Sequence, residues 1–210
     1  MNYEKLQLNL NAYKETGEIL DGAKFLIHQF DLDDDNFAGF GFRDELEKNS
    51  ILLTANGELG ELQHVMIPKN LFDFDLTLVL NMLAHEMLHV RQKSPRMMMI
   101  DKNEREWQAY YEMLFHTNFP QIPTLSDYYI KFFGEKALIY YSRMGEGSEL
   151  QLKYLEQKLE VEKLLEGLIN KEKIWYEENF ILVIELQSYN RHHPHHSKYV
   201  SISNKERDLW

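Results

Sequence analysis

The residues best suited to chemistry lie in Ala84-His85-Glu86-Met87-Leu88-His89-Val90, an H-E-x-x-H segment. On a helix, residues four apart lie on one face, one turn apart, so His85 and His89 present two imidazoles to a single point. Two imidazoles at that spacing suit one tetrahedral metal ion, completed by a carboxylate and a position open to water, and zinc is the natural ion for that donor set. Glu86 projects beside the pair, where it accepts a proton from the activated water instead of ligating. The chain has no cysteine, so thiolate ligands and disulfides are excluded and any metal must be held by His and carboxylate.

Glu106-Trp107-Gln108-Ala109 follows 17 residues after His89, on the next expected helix. Together the two segments resemble the gluzincins, zincin metallopeptidases with a His, His, Glu zinc site, over roughly residues 60–112. The resemblance implies Glu106 as third zinc ligand and Glu86 as general base in peptide-bond hydrolysis. It also implies a zincin-like core, in which a small twisted sheet offers an edge strand, here 62–67, to an extended substrate just before the active-site helix. Glu104, Asp101 and Glu112 compete locally for the ligand role, although Asp101-x-x-Glu104 already has the form of a capping box. Two positions depart from the family pattern. Tyr110 stands where many gluzincins carry an aspartate that orients a zinc-bound histidine, and Arg91 stands where an apolar residue is usual. Tyr110, Tyr111 and His116 are all candidates for stabilising an oxyanion. A metzincin site is excluded, because Gln92 and Pro95 hold the positions of its glycine and third histidine.

The elements that must position these groups can be read from periodicity. An apolar pattern over 17–30 predicts a first helix, and strand-like pieces follow at 37–42, 51–55 and 62–67, with Asn56-Gly57 as a hairpin turn signal. The active-site helix is expected from about 71 to 93, ended by Ser94-Pro95. Further helices are expected from Asp101, from near Asp127, and from Ser148 to about 178, with strands at 180–186 and 199–202. This order indicates an α+β fold: a zincin-like core over 1–118 and a mostly helical C-terminal part over 119–210 with a short terminal β segment.

Composition narrows the partners. Lys and Arg total 23 against 34 Asp and Glu, a formal net charge of −11, which disfavours nucleic acid and anionic membrane. No signal peptide is visible, and the most apolar window, 76–84, is too short to span a bilayer, so a cytoplasmic location is expected. The 150–175 stripe reads as intramolecular core or as a surface for a partner or self-association. His192, His193, His195 and His196 read as a surface loop or a second metal site, and Asp31, Asp33 and Asp35 as a solvated turn lacking the glycine and glutamate of a calcium loop. The expected function is therefore zinc-dependent hydrolysis of a peptide or protein substrate. The alternatives are a binding or structural protein, such as a phage or assembly component, that keeps the scaffold without turnover, and a zinc hydrolase acting on another amide.

Overall fold

The computed structural model describes residues 3–44 and 50–171. The chain divides into a compact unit, Met1–Leu165, and a second, Glu166–Trp210, of which only the helical residues 166–171 are described. The expected strands at 180–186 and 199–202 and the histidine cluster lie outside the described residues.

The first unit is α+β and mostly helical. It opens with α1 (Tyr3–Thr16) and α2 (Ile19–Gln29), followed by β1 (Phe37–Phe42), β2 (Thr54–Asn56) and β3 (Gln63–Ile67). The helices α3 (Leu76–Gln92), α4 (Lys102–Phe115), α5 (Asp127–Arg143) and α6 (Glu149–Lys153) come next, and residues 155–171 are again helical. The sheet is mixed, in order β1-β3-β2, with β1 parallel and β2 antiparallel to β3.

This order corrects one expectation. The strand just before α3, β3, is central, and the edge beside that helix is β2. Residues 57–62 fold the chain back so that β2 lies outside β3. Gln63 Nε2 donates to the carbonyls of Glu58 and Glu61, both at 2.7 Å. Gly57 sits at φ +148°, where a Cβ would lie 2.6 Å from that same Gln63 nitrogen, so only glycine fits. Gln63, Val65 and Ile67 of β3 are fully buried while His64, between the first two, is exposed, the alternation of a sheet with one covered face.

The helix α3 fills the centre. Asp75 caps it by accepting from Leu78 N–H at 3.1 Å. The helix therefore begins later than the expected residue 71, where Leu71–Asp73 form a single tight turn before an extended Phe74. Nearly every residue from Leu76 to Val90 is buried, as befits a helix with a sheet on one side and helices on others. Burying each Leu or Val side chain contributes about 1.5–3 kcal/mol, so this segment is a major source of cohesion.

The acidic turn after α2 braces the far face of α3. Arg91 Nε donates to Asp34 Oδ2 at 3.2 Å and its guanidinium stacks 5.0 Å from the Phe119 ring, so Arg91 faces away from the two histidines. Asn36 Nδ2 donates to the Val90 carbonyl at 3.0 Å.

The long helix expected from Ser148 is interrupted. Ser148 does cap α6, accepting from Gln151 N–H at 3.1 Å. The run then breaks at Tyr154, whose hydroxyl donates to Glu104 Oε1 at 2.6 Å and accepts from Gln108 Nε2 at 2.5 Å. No helix among the described residues is long and apolar enough to cross a membrane.

Candidate metal centre

His85 and His89 sit on the face of α3 turned toward α4 and β2. The chain leaves α3 at Lys93, turns through Ser94 to Ile100, and re-enters helix at Asp101, which accepts from Glu104 N–H at 2.8 Å. Packing of α4 back along α3 brings Glu106 opposite the pair. The Nε2 atoms of His85 and His89 are 3.1 Å apart, and each is 3.8 Å from Glu106 Oε2.

These distances fit a metal. Donors at 2.0–2.1 Å from a tetrahedral ion are separated by about 3.3 Å, close to the three edges seen here. Among the described residues, His85, His89 and Glu106 form the group of His, Asp and Glu side chains whose ligand atoms converge in this way.

The tautomer of His89 is fixed by Gln92. Gln92 Nε2 donates to the Arg105 carbonyl at 3.1 Å, so its Oε1 faces His89 Nδ1 at 2.8 Å. An amide oxygen only accepts, so Nδ1 carries the proton and Nε2 offers a lone pair to the convergence point. Gln92 was not singled out in the sequence as a functional residue. Its signal was its place three residues after His89, on the same helix face.

The rival carboxylates are engaged elsewhere. Glu104 binds Lys153 Nζ at 2.8 Å and the Tyr154 hydroxyl. Asp101 caps α4. Glu112, fully buried, accepts from Asn118 N–H at 3.0 and 2.9 Å, Phe119 N–H at 2.8 Å, Thr117 Oγ1 at 2.8 Å and Asn118 Nδ2 at 2.8 Å.

Glu86 stands next to the cluster without belonging to it. Its Oε2 accepts from the outward N–H of Ala55 on β2 at 2.7 Å, which holds the carboxylate between edge strand and histidines. Burial raises its pKa, against the lowering influence of His89 and the Ala55 N–H. Burial, helped by the nearby His89 charge, drives His85 down to about 3. His89 goes the other way: burial works against its charged form, but Glu106, Glu86 and Gln92 outweigh it. The imidazole pair thus accommodates at most one positive charge, as expected for two nitrogens this close.

A cleft of about 340 Å³ opens over these groups. Tyr110 lines it and lies edge-on to His85, ring centroids 4.7 Å apart, within a stack that includes Phe133 and Tyr140. It supports His85 by ring packing in place of a carboxylate. The other two oxyanion candidates do not line the cleft: the Tyr111 hydroxyl donates to Glu160, and His116 Nε2 lies 2.9 Å from Asn81 Oδ1.

Compared with protein-family models, curated proteins and solved structures, the chain matches none.

Proposed function

We propose that this protein is a zinc-dependent metallopeptidase of gluzincin type, built on a zincin-like core of mixed sheet and active-site helix. The observation that carries this reading is the separation of roles among three acids and two imidazoles. Glu106 joins His85 and His89 at one point, Glu86 stands beside that point fastened to an edge strand, and Glu104 is turned away. His85, His89 and Glu106 would hold the ion, which when bound supplies a Lewis acid that activates water and polarises a carbonyl. Glu86, raised in basicity by burial, takes a proton from the attacking water on its carboxylate and passes it to the departing amine. Tyr110 and Gln92 keep the two imidazoles from rotating. The outward edge of β2 offers backbone groups to an extended peptide, the ordinary way for a sheet edge to hold a chain in register.

Metal analysis of the purified full chain tests the reading. One equivalent of zinc is expected, lost in His85→Ala. Glu86→Gln should retain the zinc and lower peptide hydrolysis by roughly a hundredfold or more, the usual scale for a general base. A chain that takes up no zinc in zinc-replete buffer, or a Glu86→Gln variant with full activity, overturns it.

A further inference from the structure

The chain is strongly acidic, with a net charge of −11, so a concentration of cations is unexpected on composition alone. One exists at a single end of the metal-site cleft. Lys93 stands one turn beyond His89, and Lys102 and Arg105 belong to the first turn of α4, before Glu106. The opposite end is apolar, with Met82 one turn before Glu86, Tyr110 one turn after Glu106, and Phe133 reaching in from α5. The metal point divides a cationic half from an aromatic half.

These cations are not held by acids. Lys93 Nζ donates to the carbonyls of Ala55 at 2.7 Å and Gly57 at 3.4 Å. Arg105 Nη1 donates to the carbonyls of Met99 at 2.5 Å and Ile100 at 2.8 Å. Lys102 is exposed. Among the described residues, none of the three has a carboxylate within ion-pair distance. The charges of Glu86, Glu58 and Glu106 act on Lys93 and that of Glu106 on Lys102 only from beyond contact, and an ammonium with two carbonyl partners retains a third donor. Lys102 also sits where the helix dipole disfavours a cation, so its position does nothing for α4.

We propose that the cleft selects acidic peptide segments, binding an Asp or Glu side chain at Lys93, Lys102 and Arg105 on the N-terminal side of the scissile bond. This rests on the peptidase reading above. The polarity follows from the direction of β2, which runs alongside α3 in the same sense: Ala55 N–H meets Glu86, and the Ala55 and Gly57 carbonyls meet Lys93. A peptide pairing antiparallel to β2 enters with its N-terminal part at the cationic end. An acidic side chain there gives the Lys93 ammonium a carboxylate in exchange for two carbonyls, freeing the strand acceptors that peptide N–H groups need.

Three internally quenched peptides test this with the zinc-loaded full chain. One carries Glu-Glu upstream of a Phe, one Gln-Gln at the same positions, and one Glu-Glu moved downstream. The first should be cleaved with kcat/KM roughly tenfold above the others at low salt, and the advantage should shrink near 0.5 M salt. Lys102→Glu, an exposed change that the helix dipole favours, should abolish most of that advantage while melting like the parent. Equal cleavage of the Glu and Gln peptides, a preference for downstream acid, or an advantage untouched by Lys102→Glu overturns the inference. If the zinc-loaded chain cleaves none of them, the peptidase reading fails by itself. Fluorescence anisotropy with labelled Glu-Glu and Gln-Gln peptides on the zinc-loaded chain then decides separately. Tighter binding of the acidic peptide, weakened in Lys102→Glu, sustains acidic recognition, and equal binding rejects it.

Discussion

Gln92 and His89 are joined by a 2.8 Å contact from Oε1 to Nδ1, while the same Gln92 amide donates to the carbonyl of Arg105, the residue before Glu106. One side chain thus sets the tautomer of an imidazole on α3 and fastens the turn of α4 that carries the facing carboxylate. Partners of this kind typically govern metal affinity by 10- to 100-fold. Gln92→Leu, which keeps bulk and removes both bonds, is expected to weaken zinc binding by about that factor. Gln92→Glu retains the acceptor and should stay much closer to the parent. Competition titration with a zinc chelator reads both, and equal affinities for parent and Gln92→Leu would show that the amide does not orient His89.

Ala55 offers a way to move Glu86 without touching it. The N–H that Glu86 accepts points out of the sheet, so Ala55→Pro removes it without breaking a bond to β3, and an edge strand tolerates proline. Thr54 before it is already extended, as a residue preceding proline requires. Peptide hydrolysis should fall by about tenfold or more in kcat, the scale of misplacing a catalytic group, with zinc content unchanged. Unaltered kcat would mean that the strand does not position the base.

The acids of α4 separate site from scaffold. Glu106→Ala should lose zinc and barely change the melting temperature of the metal-free protein. Glu112→Ala should do the reverse, since it removes the buried carboxylate that ties down the 117–119 loop and its buried Phe119. Leaving the buried Phe119 N–H without its acceptor costs roughly 1–3 kcal/mol, while zinc content of the folded fraction holds. Metal analysis paired with thermal denaturation in chelator distinguishes them. Zinc retention in Glu106→Ala would return the ligand role to one of its neighbours.

What the sequence disclosed follows the range of the interactions. The convergence of His85 and His89 was legible because both imidazoles, with Glu86 beside them, belong to one helix, where spacing alone dictates which groups share a face. Glu106 needed only the assumption that the next helix folds back. The central position of β3 was not legible, because strand order depends on how residues 57–62 reverse the chain, and the Gln63 bonds that fold them are tertiary. Residues 3–16 are assigned no element from the sequence, although they form α1. Leu6, Leu8 and Leu10 alternate like a strand, yet only Leu6 and Leu10 are buried, one turn apart, and Leu8 is exposed. The break at Tyr154 was hidden for a similar reason: the pattern favours continuous helix, and bonds to Glu104 and Gln108 override it.

His116 predicts how stability responds to acid. It ends α4 in the left-handed region, φ 49°, and its Nε2 donates to Asn81 Oδ1, because Asn81 Nδ2 is occupied by the carbonyls of Thr77 and Pro123. Burial lowers its pKa below the ordinary value of 6.5, only partly opposed by the Glu112 charge. The folded state therefore resists protonation while the unfolded chain accepts it. Below about pH 6.5 the unfolded state binds more protons, so stability is lost as pH falls from there to the depressed folded pKa and is fully present above 6.5. His116→Asn keeps a residue that tolerates the left-handed backbone and removes the titration. Its melting temperature should decline less than the parent's between pH 7.5 and pH 5.5, so the two curves converge on acidification. Parallel melting curves across that range would assign the acid sensitivity to other groups.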